Sequence, residues 1–181
     1  MIIDTPRTRL RCWRETDREA FAAMIADPEV MRDLGGPMSR AESDAKLDRY
    51  VAAFHRHGVC RLVVERRDGV FLGYAGVMPL SEDHPLGPHF DVGWRLTRSA
   101  WGRGYATEAA SAALAHAFAH LGLKEILGYT APDNHRSQRV MARLGLHRDP
   151  ACDFFTSRDD GSAWHGWVWV ARSVTPNRVA P

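Results

Sequence analysis

Apolar and polar residues alternate in RTRLRCWR, with Leu10 and Cys12 set against Arg9 and Arg11, which predicts a first strand. Thr16 and Asp17 are then N-cap candidates for a helix carrying Ala20, Phe21, Met24 and Ile25 that stops near Asp27 and Pro28. The segment DLGGPMS reads as a loop leading to Ser39, which with Glu42 makes a capping-box pattern for a second helix ending at Gly58. Residues 59 to 80 read as a hairpin whose Asp68-Gly69 pair favours a tight primed turn. HFDVGWRLT predicts a fourth strand, with Phe90, Val92, Trp94 and Leu96 on one face and Asp91, Gly93, Arg95 and Thr97 on the other. An alanine-rich helix follows within residues 98 to 122, then KEILGYTA as a fifth strand. A short helix is expected from about His135 to Leu144, ended by Gly145, and final strands near 147 to 156 and 163 to 172.

Strands and helices therefore alternate irregularly, which predicts an α/β (α+β) fold: a mixed, mostly antiparallel sheet of about seven strands flanked by about four helices on both faces. A chain of 181 residues with 45% hydrophobic content fills one core, so a single domain over residues 1 to 181 is expected. The formal charge of +2, without a basic stripe interleaved with aromatics, argues against a nucleic-acid surface. The opening MIIDTPRTRLRCWRETD has no apolar h-region, and no apolar run approaches the roughly 20 residues that span a bilayer, so no membrane association and a cytoplasmic setting are expected. Cys12, Cys60 and Cys152 are odd in number and widely spaced, which suits neither a disulfide framework nor a zinc knuckle.

Gly102 and Gly104 lie between a strand and a helix, where first-turn N–H groups lack partners and the macrodipole is positive. Glycines here let a diphosphate approach the backbone, and Arg103 between them can add charge; an ordinary glycine turn is the alternative. The stretch has neither the P-loop pattern nor the dinucleotide pattern G-x-G-x-x-G.

WGRGYA, residues 101 to 106, resembles the acyl-CoA signature [QR]-x-x-G-x-[GA] of the GNAT superfamily of N-acetyltransferases, with Trp101 in place of Gln or Arg. The form WGxGYATEA resembles the RimJ/RimL-like branch, which includes ribosomal-protein N-terminal acetyltransferases. Further blocks resemble that branch in order: TPRTRLRCWRETDREAF, DPEVMRDLGG, FDVGWRL and NHRSQRVMARLGL, together spanning roughly residues 5 to 148. The resemblance implies the GNAT fold, acetyl-CoA as cosubstrate and no metal. It also implies a homodimer and an amine acceptor, foremost a protein N-terminal α-amine. It assigns the cofactor to Trp101, Gly102, Arg103, Gly104, Tyr105, Ala106, Thr107, Asn134 and Ser137.

Asn134 also reads as a plain helix N-cap. Ser137 shares a helical face with Met141 and Leu144, so its hydroxyl is aimed inward, toward a backbone carbonyl or, as the resemblance implies, the cofactor sulfur. Many GNAT enzymes carry a Tyr acid at the position of Met141. Asp91 is the candidate base; the alternative is a surface carboxylate paired with a neighbouring arginine, and Arg95 on the same face suits either that pairing or contact with the acceptor. Two other acceptor or role assignments stand beside the first: a small-molecule amine such as a polyamine, an aminoglycoside or an amino acid derivative, and a non-catalytic acyl-CoA-binding module.

His116 and His120, spaced i, i+4, lie off the apolar stripe and lack a third ligand or a zincin Glu, so a solvated face is expected. Trp164, Trp167 and Trp169 suit core packing, an acceptor pocket or a dimer seam. His55 and His57 suit the negative end of the second helix, with contact to the acceptor as the alternative.

Overall fold

The computed structural model describes residues 1–157 and 161–173. Among the described residues nine strands form the sheet: β1 (Ile2–Asp4), β2 (Thr8–Arg11), β3 (Arg61–Arg66), β4 (Phe71–Leu80), β5 (His89–Leu96), β6 (Glu125–Thr130), β7 (His147–Arg148), β8 (Phe154–Ser157) and β9 (Ala163–Arg172). Their order is β1-β2-β3-β4-β5-β6-β9-β7, with β8 also on β9. The helices are α1 (Arg18–Ile25), the single turn α2 (Pro28–Met31), α3 (Arg40–His57), α4 (Tyr105–Leu121) and α5 (His135–Arg143). No helix among the described residues is long and apolar enough to cross a membrane.

The mixed, mostly antiparallel sheet is as expected, and the departures have local causes. Asp27 accepts hydrogen bonds from the amides of Glu29 and Val30, which turns the expected loop after α1 into a one-turn helix with Pro28 at its start. Asp17 stands at the N-cap position of α1 without a side-chain cap bond to it; its buried carboxylate accepts from the Arg14 amide and from Arg11 at 2.7 and 2.8 Å, and Arg11 also donates to Glu65 at 2.7 Å. The hairpin turn is not a primed one. The Gly69 amide bonds the Arg66 carbonyl at 2.9 Å and only Gly69 has positive φ, whereas a type I′ turn would need it at Asp68 too. The strand expected near 147 to 156 is broken by a 3-10 turn at Pro150–Cys152, where Asp149 accepts from the Ala151 amide. Ser39 and Glu42 do form the reciprocal capping box.

Two clusters of buried side chains sit on the sheet. One, around Phe21, Tyr50, Leu62 and Tyr74, holds α1 and α3; the other, around Val77, Val92, Leu114, Ile126 and Met141, holds α4 and α5. The alanines of α4 (109, 110, 113, 117) are buried, so this helix lies close across β2, β4 and β5. β4 and β5 pair along eight registered positions from Gly73↔Leu96 to Leu80↔His89. β5 and β6 run parallel and share one registered pair, Asp91↔Leu127. Beyond that pair lie the carboxyl ends of two adjacent parallel strands, the place where open α/β sheets hold ligands.

Candidate active site

A cleft of about 470 Å³ opens between the end of β5, the start of α4 and α5. The turn before α4 is built by Gly102 at φ +72° and Gly104 at φ +80°, conformations that L side chains rarely adopt. No side chain caps α4, so its first-turn amides lack that partner, and Tyr105, Ala106 and Thr107 all line the cleft. The buried Thr107 hydroxyl has no hydrogen-bond partner. The Trp101 indole donates to the Leu96 carbonyl at 2.8 Å, and the Arg136 guanidinium sits 4.3 Å from its ring centroid.

Glu108 anchors this turn from behind. It accepts from the Thr5 hydroxyl at 2.6 Å, the Arg7 amide at 2.8 Å and the Arg7 guanidinium at 2.6 Å. Burial alone would raise its carboxyl, but these bonds from Thr5 and Arg7 outweigh that and hold it below the usual glutamate range.

Arg103 does not supply the cleft's charge. Its side chain is exposed and outside the lining, and its carbonyl accepts from Arg7 at 2.8 Å. The charge comes instead from Arg136, Arg139 and Arg143, which line the cleft from one face of α5. Their i, i+3, i+7 spacing in HRSQRVMAR was available in the sequence and points to that face.

A second cavity, of about 240 Å³, lies deeper between α3, β3, β4, β5 and β6. Asp91 is on its wall, 5% exposed, and is no surface carboxylate. Its partner is Arg61 of β3, not Arg95: Arg61 bonds one carboxylate oxygen and also the Asp91 carbonyl at 3.0 Å. The other oxygen, Oδ1, is buried and unpartnered. Gly93 makes room for this pair, because a Cβ there would meet the Arg61 guanidinium at 2.8 Å. Arg95 instead donates to the Val30 carbonyl of α2 at 2.7 Å.

Sequence reasoning missed Lys46 and Tyr50 of α3, Arg61 of β3 and Tyr74 of β4, which also line this cavity. Burial pushes the Tyr50 phenol up. Burial would do the same to Tyr74, but Arg95, Lys46, the Tyr50 hydrogen bond and Arg61 together bring it down to about 8. Desolvation lowers Lys46. Tyr129 is pushed up by burial and by the charge of Asp91. Only an arginine ahead of the apolar run Leu62-Val63-Val64, in VCRLVVER, hinted at Arg61.

The cleft and the cavity meet at Asn134, Ser137, Trp94, Arg95 and Asp33, which line both. Asn134 caps α5 by accepting from the Ser137 amide at 3.1 Å, as the sequence suggests. Ser137 and Met141 stand on the same inward face. The three tryptophans divide: Trp164 lines the inner cavity with its indole N–H buried and unpartnered, Trp167 stacks under Arg148 at 4.7 Å, and Trp169 packs in the second core cluster. His116 is half-buried and His120 exposed, and among the described residues no group of three His, Cys, Asp or Glu side chains could hold a metal. His55 and His57 are exposed and line neither space.

Residues 7–147 match the family model described as "Acetyltransferase (GNAT) domain". The N-acetyltransferase YnaD of Bacillus subtilis (strain 168) is 36% identical over 150 residues, covering 82% of this chain and 84% of its own. An acetyltransferase structure from Agrobacterium tumefaciens str. C58 superimposes with TM-score 0.79 at 28% identity, covering 96% and 95% of the two chains. RimL, a ribosomal L7/L12 α-N-protein acetyltransferase solved with coenzyme A, shares the fold at 14% identity, with TM-score 0.75 over 95% of this chain and 98% of its own. With its uncapped, glycine-opened helix beside parallel strand ends, the chain belongs to the GNAT acetyltransferases and is an acetyl-CoA-dependent N-acetyltransferase.

Proposed function

We propose that the enzyme acetylates α-amines, foremost a protein N-terminus, as the name of the fold neighbour RimL states for that protein. The observation that carries this reading is the junction of two unlike spaces at Asn134 and Ser137. The outer cleft suits acetyl-CoA: the amides of residues 105 to 107, the unpartnered Thr107 hydroxyl and the arginines of α5 fit anionic phosphates, and Trp101, Gly102 and Gly104 shape the turn. When bound there, acetyl-CoA supplies the activated acetyl group.

The inner cavity receives the amine. Asp91, directly or through a water, takes the ammonium proton at its unpartnered Oδ1 while Arg61 fixes the other oxygen. At pH 7 deprotonation costs about 1.4 kcal/mol for an α-amine of pKa near 8 and about 4.6 kcal/mol for a lysine-like amine near 10.4, so a modest base suits the first. Ser137 at the junction donates a hydrogen bond to the departing sulfur, and the thiolate takes its proton from water or from the proton that the attacking amine gives up. A thiol of pKa about 8.5 needs little help, which is consistent with Met141 where the family often has Tyr.

Lys46, Arg61 and Arg95 on the cavity wall disfavour polycations, so polyamines and aminoglycosides are the less suitable acceptors. The test is acetyl-CoA-dependent thiol release against peptides with free N-termini, amino acids, polyamines and aminoglycosides. Release with α-amines and little with polycations is expected. Preference for polyamines would overturn the acceptor class, and acetyl-CoA binding with no release at all would overturn the transferase assignment.

A further inference from the structure

The inner cavity has more positive charge than its carboxylates neutralise. Three cations line it, Lys46, Arg61 and Arg95, with two carboxylates, Asp33 and Asp91. Arg61 is committed to Asp91, and Asp33 lies 3.6 Å from Arg32 outside the cavity lining. Among the described residues, Lys46 and Arg95 have no ion-pair partner, and the buried Nε of Arg95 has no hydrogen-bond partner either. Buried unmatched donors and charges are costly, and a site that leaves them so is shaped for a ligand that matches them.

The unpartnered groups fall into two kinds. Asp91 Oδ1 is a negative acceptor beside Tyr129 on β6, whereas Lys46 of α3 and Arg95 of β5 are positive donors around Tyr74. A molecule bearing an ammonium and a carboxylate satisfies both, and a simple amine satisfies only the first. Tyr74 reports the same field from inside the cavity, its phenol drawn down to about 8 against the effect of burial by Arg95, Lys46 and Arg61 together with the Tyr50 hydrogen bond.

Building on the acceptor assignment above, we infer that the acceptor carries a carboxylate near the amine that is acetylated, and that Lys46 and Arg95 receive that carboxylate in the inner cavity. The carboxylate comes from one of two sources, the α-carboxylate of a free amino acid or an acidic side chain near a peptide N-terminus. The chemistry at Lys46 and Arg95 is the same for both.

Matched acceptors test this in the unaltered enzyme: an amino acid against its own amide, and peptides differing by Glu against Gln at their first two residues. The acid member of the effective pair is expected to lead in kcat/KM by about 10-fold or more, mostly through KM, as a charge-assisted hydrogen bond implies. Removing an amino acid's carboxylate lowers the pKa of its amine, so amine protonation pushes the other way. Lys46→Met is expected to reduce the preference to within about 2-fold while leaving KM for acetyl-CoA unchanged, and Lys46→Arg to keep it. Which pair responds identifies the source.

Amides or neutral peptides used as well as the acids would overturn the inference while leaving the transferase assignment standing. An acid preference untouched by Lys46→Met would remove Lys46 from it. Absence of transfer to every amine would sink the assignment and the inference together. Because the matched-acceptor comparison needs no variant, a Lys46→Met protein that fails to fold does not remove the test.

Discussion

The outer cleft and the inner cavity share the side chains at their junction and differ in how the chain builds them. The glycine turn of the cleft comes from six consecutive residues, 101 to 106, and its charge from one face of one helix. The cavity is assembled from α3, β3, β4, β5, β6, α5 and β9, and its lining residues from Asp33 to Trp164 are scattered across more than half the sequence. A local backbone site can be read as a motif, because the conformation that binds is the conformation the residues prefer. A site made of side chains from many strands depends on register and cannot be read that way. In the proposed function the same contrast separates the parts of catalysis: cofactor binding is assigned to backbone geometry, acceptor choice to a charge arrangement that other sequences can alter without touching the fold.

The sharpest way to break this pairing is at Asp91. Asp91→Asn removes the proposed base and leaves the cleft alone, so kcat should fall about 10²–10⁴-fold while the affinity for acetyl-CoA, measured by calorimetry, stays within about 2-fold. A fall in acetyl-CoA affinity of the same size would mean that the two spaces are not separable. The complementary change is Gly104→Val. It forces a β-branched residue into a φ of +80° with its Cβ 3.3 Å from the Arg7 guanidinium, and should weaken acetyl-CoA binding roughly 10- to 100-fold while leaving the geometry of the Asp91–Arg61 pair intact.

Arg61→Met tests the inner cavity as structure rather than chemistry. It strands a carboxylate that is 5% exposed, and removing one member of a buried pair costs about 3–5 kcal/mol, or roughly 10 °C in Tm for a chain of this size. Adding Asp91→Asn should recover part of that loss, since the stranded charge is then gone. Thermal denaturation of the single and double variants measures the difference, and equal melting of the two would mean that the pair's charge is not what holds this wall.

Legibility followed the same division. The capping box at Ser39, the Asn134 cap, the alternation of β5 and the two glycines are local signals, and each stands where the pattern puts it. Asp17 looked like a helix cap because its type and position suit one, yet its carboxylate is taken by Arg11, a competition decided by the pairing of β2 with β3. Arg103 looked like the cleft's cation because it sits in the motif, but its side chain is exposed outside the lining, and the helix across the cleft supplies the arginines that line it. Arg61 opens a strand, RLVVER, that carries charged residues at both ends. Nothing local distinguishes an arginine that pairs inward with β5 from one at a strand's exposed edge.

The smallest effect expected concerns the anchor behind the cleft. The carboxyl of Glu108 lies below its ordinary value of about 4.3 because Thr5 and Arg7 bind its ionised form. A group whose pKa is depressed on folding contributes stability above its unfolded pKa and loses it as pH falls through the folded one. The protein should therefore lose this share of its stability progressively below about pH 4.3, whereas the neutral amide of Glu108→Gln should show a lower but flatter Tm across that range. Near pH 7 the gap between the two proteins should be widest, and it should close as the acid is protonated. Because Glu108 ties the start of α4 to Thr5 and Arg7, the same variant should weaken acetyl-CoA binding slightly and leave acceptor selectivity unchanged. A change in selectivity instead would show that the anchor reaches across the junction at Ser137 and that the two spaces move as one.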